Sequence, residues 1–200
     1  MKALLILLAI SLMSARHESP TLVHRLIVQP SSTLNIEGST NINSFTCAIT
    51  KYVGSDTLVL HEGGHNIRPV FVRGAVELDA SSFDCGMAMM TSDFQKAINS
   101  KVYPAIVIDF ISFERPPAYT AAREQFKGIL KISLGGVTRL FEVNCSIDAD
   151  SSGTITLAGS REFTFSDFGL APPTRMLGAV KVNEGLRVSF HLKLKLDPNS

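Results

Sequence analysis

The stretch from Leu186 to Leu196 constrains the chain most. Leu186, Val188, Phe190, Leu192, Leu194 and Leu196 alternate without a break against Arg187, Ser189, His191, Lys193 and Lys195. Successive side chains of a strand point to opposite faces, so this run belongs in a sheet with one dry and one wet face. The same period recurs upstream. Ile106, Ile108 and Phe110 alternate against Asp109, and Phe126, Gly128, Leu130, Ile132 and Leu134 against Lys127, Lys131 and Ser133. Val137, Phe141, Val143, Cys145 and Ile147 then oppose Glu142, Asn144 and Ser146, with Gly135-Gly136 as the turn between the two strands. After an Asp150-Ser151-Ser152-Gly153 turn, Ile155, Leu157, Gly159, Arg161, Phe163 and Phe165 alternate with Thr154, Thr156, Ser160, Glu162 and Thr164. Shorter strands are expected over 34–38, 45–52, 56–60, 67–72 and 76–80. The fold class is therefore all-β and antiparallel, and strands this long and numerous close into a barrel or sandwich.

One segment breaks the pattern. Ser92-Asp93-Phe94-Gln95 has the form of a capping box, and Phe94, Ala97 and Ile98 then share a face, which predicts a short helix over 92–99. Arg115-Pro116-Pro117-Ala118 reads as a loop or bulge, because adjacent prolines cannot donate to a central ladder.

The chain opens Met1-Lys2, continues through an apolar run over residues 3–13 and reaches Ser14-Ala15-Arg16. That order of charge, apolar core and small residues predicts a signal peptide over residues 1–15, followed by one domain over residues 22–198. The apolar run is too short to span a bilayer, and no other stretch approaches the required length. The expected location is periplasmic or secreted. A formal charge of +1, the absence of Trp and the absence of a Lys/Arg run exclude the footprint of a nucleic-acid binder.

Three cysteines, Cys47, Cys85 and Cys145, permit one disulfide in an oxidising compartment. Cys145 is in step with Phe141, Val143 and Ile147 on an apolar strand face, which favours Cys47 with Cys85. The alternative is that all three are small buried hydrophobes. His61-Glu62-Gly63-Gly64-His65 matches the H-E-x-x-H pattern, whose histidines grip one zinc from successive turns of a helix; two histidines flanking a turn could share a metal, but no third ligand stands nearby in the sequence. Adjacent glycines oppose that helix, and the flanking β-rich runs make 61–66 a connection between strands. A metal-dependent hydrolase using His61, Glu62 and His65 is the weaker alternative. No G-x-S-x-G context or positioned acid–base pair supports another enzyme class, and no cofactor is expected.

The order of segments resembles that of the YceI-like family of secreted, lipocalin-like, polyisoprenoid-binding proteins. The resemblance lies in Ser32-Thr33-Leu34-Asn35-Ile36-Glu37-Gly38-Ser39-Thr40, in the stretch 76–83 followed by Met89-Met90, and in Tyr103-Pro104-Ala105-Ile106. It continues in Gly128-Ile129-Leu130-Lys131-Ile132 with Gly136-Val137-Thr138-Arg139, and in Ser166-Asp167-Phe168-Gly169-Leu170 with Pro172-Pro173. Asn43 stands where members of that family usually carry a histidine. The resemblance implies an antiparallel barrel of about eight strands, wide enough for one ligand, here an isoprenoid lipid or quinone bound without covalent chemistry. Phe110, Phe126, Phe141, Phe163, Phe165 and Phe190, with Leu130, Val143 and Leu192, fall on the apolar strand faces and are the expected ligand contacts. In a filled barrel the same residues pack against one another, leaving a protein-binding module that works through loops such as 56–66 and 115–123, or a homodimer.

Overall fold

The computed structural model describes residues 22–49, 52–63 and 67–198. The expected leader and His65 lie outside them. The strands are β1 (Leu22–Val28), β2 (Thr33–Thr40), β3 (Ser44–Ile49), β4 (Thr57–Glu62), β5 (Val70–Arg73) and β6 (Ala75–Asp79). After one helix, α1 (Ala88–Ala97), come β7 (Ala105–Phe113), β8 (Glu124–Leu134), β9 (Val137–Ala149), β10 (Ile155–Thr164), β11 (Thr174–Arg175) and β12 (Val180–Leu196).

Every pairing is antiparallel, and the sheet closes on itself in the order β1-β4-β5-β7-β8-β9-β10-β12, with β12 returning to β1 through Leu26 opposite Leu196 and Val28 opposite Leu194. β12 is long enough to serve two neighbours along one edge. Its end pairs with β1 and its earlier part with β2, from Val182 opposite Thr40 to His191 opposite Thr33. β3 adds to β2, and β6 adds to β7. Between β3 and the chain after β6 the ladder shrinks to a single pair, Ala48 with Asp84, whose amides each donate to the other's carbonyl at 2.8 and 2.9 Å. The Cys47–Cys85 disulfide lies beside that pair and staples the seam. Cys145 is free and buried, as its place on the apolar face of β9 required.

The β8–β9 hairpin turns on Gly135 and Gly136, both at positive φ (59° and 85°), which is the backbone that a two-residue hairpin matched to strand twist demands. β5 and β6 are one bent strand. At the bend Gly74 accepts from the Phe110 amide, and a Cβ there would stand 1.9 Å from the Phe110 carbonyl oxygen.

Four sequence expectations need correction. β1 was not foreseen, because Val23 and Ile27 make its outer face as apolar as its inner one and blur the period. β4 runs on through His61 and Glu62 before the connection begins. Phe165 does not extend β10: the strand stops at Thr164, which accepts from the Asp167 amide while Asp167 accepts from Thr164, opening a 3-10 turn over Phe165–Phe168. The helix starts at Ala88, not at Ser92. Its N-cap, Met87, makes no side-chain bond, while the disulfide at Cys85 and the Cys85 amide donating to Thr91 Oγ1 (3.1 Å) fix the chain entering it. Tertiary anchoring overrides the local capping signal.

Candidate ligand cavity under the helix

Alternation places side chains inside the barrel, and phenylalanines fill most of one part of that interior. Phe126 meets Phe113 at 4.7 Å between ring centroids, Phe113 meets Phe71 at 4.9 Å, Phe71 meets Phe110 at 5.7 Å, and Phe110 meets Phe190 at 5.7 Å. Beyond this stack, alongside the end of β12, lies a small polar cluster. His24 Nε2 stands 3.2 Å from Glu62 Oε1, and the Tyr119 ring lies edge-on to His24 at 5.1 Å. Burial, helped by the Glu62 carboxylate, raises the Tyr119 phenol well above its ordinary range.

The opposite end, which α1 covers, is hollow. A cavity of about 100 Å³ lies between Leu34 and Ile36 of β2, Ile106 and Ile108 of β7, Ile132 and Leu134 of β8, Phe163 of β10 and Leu186 and Val188 of β12. Phe94 of the helix and Ile98, its C-cap, form its roof, together with Phe83, whose ring lies 5.0 Å from that of Phe94. The lining is aliphatic and aromatic apart from Thr164. A second cavity, of about 90 Å³, lies further out, between Thr40, Cys47, Met90, Asp93, Arg175, Val180 and Val182. Phe45, Phe94 and Phe165 line both and form the partition between them. A two-armed ion pair from Arg175 to Asp93 ties the β11 segment to α1 across the outer cavity, and raises the arginine pKa further.

The sequence-predicted contacts divide along this axis. Phe163 and Phe165 line the 100 Å³ cavity. Phe110, Phe190 and Leu192 border a void of only about 10 Å³. Phe126, Leu130, Phe141 and Val143 are buried in the core and line none of these spaces. Sequence reasoning missed Ile36, Phe94, Ile98, Ile132, Leu134 and Val188. The available signal was their apolar alternation, which puts them inside the barrel without giving their height along it; Ile36 and Val188 stand at mid-strand.

Arg161, which falls in the apolar set of β10, closes the wall where β9 and β10 stop pairing after Ser160. Its guanidinium lies 5.1 Å over Phe141 and 5.7 Å from Phe163, and Nη1 donates to the Glu142 carbonyl at 2.6 Å. His61 and Glu62 end a strand, so their side chains leave on opposite faces, and Glu62 is engaged with His24. Among the described residues no three His, Cys, Asp or Glu side chains gather as a metal site, and no helix is long and apolar enough to cross a membrane.

No protein-family model matches the sequence, and no curated protein matches it either. Solved structures do match the architecture. A polyisoprenoid binding domain from Saccharophagus degradans, implicated in plant cell wall breakdown, superposes with a TM-score of 0.62 at 11% identity, covering 86% of this chain and 98% of that one. BcnA from Burkholderia cenocepacia superposes with a TM-score of 0.56 at 17% identity, covering 81% of this chain and 95% of that one. Identities this low speak for shared architecture, and they agree with the resemblance read from the segment order: the chain has the antiparallel, lipocalin-like barrel fold of the YceI-like proteins.

Proposed function

We propose that the protein is an exported carrier that holds a long-chain isoprenoid lipid, polyprenyl or quinone-tailed, inside the barrel without covalent chemistry. The observation that carries this reading is the apolar cavity under α1, in a barrel of the same fold as a polyisoprenoid binding domain. Burial of apolar surface drives binding, at about 25 cal/mol per Å² less the cost of ordering the chain. A cavity of about 100 Å³ is of the order of the roughly 150 Å³ apolar cavity that accepts a benzene ring. It therefore takes a short branched segment as it stands, and a longer chain passes outward when Phe45, Phe94 and Phe165 turn aside. The sequence leader and the Cys47–Cys85 disulfide support a periplasmic or secreted location, where such bridges persist.

Val188→Trp tests the site. The added ring fills the cavity from the wall of β12, so uptake of a prenyl alcohol or a short-tailed quinone is expected to be lost while the β-sheet circular dichroism remains. Undiminished uptake by a folded Val188→Trp protein would place the ligand elsewhere.

A further inference from the structure

Three apolar tips belong to segments that line the outer cavity, each within two residues of a lining side chain. Thr40, Met90 and Arg175 belong to its wall. Close by in the chain, Ile42 is 69% exposed, Met89 62% and Leu177 fully. They come from separate segments: the β2–β3 turn, the first turn of α1, and the bend between β11 and β12. Hydrogen bonds hold these segments in one rim. The Asn41 amide donates to the Lys181 carbonyl at 3.0 Å, its side-chain amide to the Ala179 carbonyl at 2.9 Å, and the Lys181 amide to Asn41 Oδ1 at 2.9 Å. The Arg175–Asp93 pair ties the bend to the helix.

Leu177 is the most informative of the three. It holds left-handed backbone angles (φ 55°, ψ 31°), which disfavour any residue with a Cβ, yet its side chain gains no burial in exchange. Single exposed apolar residues are ordinary; several on independent segments around one apolar opening mark an interaction surface. The charges say which kind. Residues 39–43, 86–92 and 172–182 contain no Asp or Glu, Asp93 is paired with Arg175, the flanking Asp84 and Glu184 accept from the Gly86 and Ser166 amides, and Lys181 is exposed, so the rim offers phosphate headgroups a cation and no unpartnered carboxylate.

We infer that this rim docks on a phospholipid bilayer, with Ile42, Met89 and Leu177 entering the boundary between headgroups and acyl chains. The outer cavity then opens against the membrane, and an apolar ligand exchanges without crossing water. The purpose of docking rests on the carrier reading; docking itself does not, and it is measured on vesicles that contain no cargo.

The chain has no Trp, so Leu177→Trp supplies a single emitter at the tip. With vesicles of phosphatidylcholine and phosphatidylglycerol its emission is expected to shift to the blue and to be quenched by lipids brominated in their acyl chains. Leu140→Trp, on the outer face of β9, stays unchanged. Any adsorption through the N-terminal segment acts on both proteins alike. Combining Ile42→Ser, Met89→Ser and Leu177→Ser is expected to weaken vesicle partitioning at least about tenfold, with uptake of a prenyl alcohol from solution intact. An unshifted emission of Leu177→Trp overturns the inference even if uptake is normal. So does a blue shift that follows protein concentration and ignores vesicles, which would assign the rim to a second copy of the chain.

Discussion

Cys145 shows how one side chain sets a pH dependence. Burial pushes its thiol up to about 12 from an ordinary 9.0. The folded state therefore binds the proton more tightly than the unfolded chain does. The stability this gives is fully present below about pH 9 and is lost as the pH rises towards 12. Urea unfolding at pH 7 and at pH 10 is expected to show a steeper loss in the native sequence than in Cys145→Ala; equal losses would mean that the thiol is not held protonated by the fold. Gly74 makes a steric prediction at the same scale. Gly74→Ala sets a methyl against the Phe110 carbonyl, a contact with backbone that no rotamer change relieves, and is expected to cost about 1–3 kcal/mol in thermal or urea unfolding. The role of Cys145 could be read from its register with Phe141 and Val143. That of Gly74 could not, because the contact is made to a strand distant in sequence.

Among the elements, the seam between β3 and the chain leading into α1 is one of the thinnest joins in the wall. One bridge pair and one disulfide hold it, whereas β8 and β9 share an unbroken ladder from Glu124–Ile147 to Leu134–Val137. The disulfide closes a separation of 38 residues, for which chain entropy gives about 3–4 kcal/mol. Reduction, or replacement of both cysteines by alanine, is expected to lower stability by that order and to speed hydrogen exchange of the Ala48 and Asp84 amides before those of β8 and β9. Uniform acceleration across the sheet would show that the seam is no weaker than the rest. At this scale the long strands were legible because one face is dry and one wet. The start of the helix was not, since a local capping signal at Ser92 competes with anchoring at Cys85 that only the folded chain supplies.

For the whole molecule, one barrel carries two kinds of interior, a phenylalanine stack at one end and a cavity under α1 at the other. Alternation in a sequence tells which face a residue takes; it says nothing of its height along the barrel axis. Phe126 and Phe163 therefore look alike as letters, although the first packs against Phe113 and the second lines the cavity. The all-β class was legible from the long half-dry strands, which left barrel and sandwich open; the resemblance in segment order is what implied the barrel. Whether the cavity holds an isoprenoid lipid is decided by native mass spectrometry of the protein recovered from its native host, with solvent extraction of what it carries. A co-purified species with a prenyl or quinone tail is expected, and its loss in Val188→Trp. A protein that emerges empty, and takes up no prenyl lipid when offered one, would contradict the carrier reading.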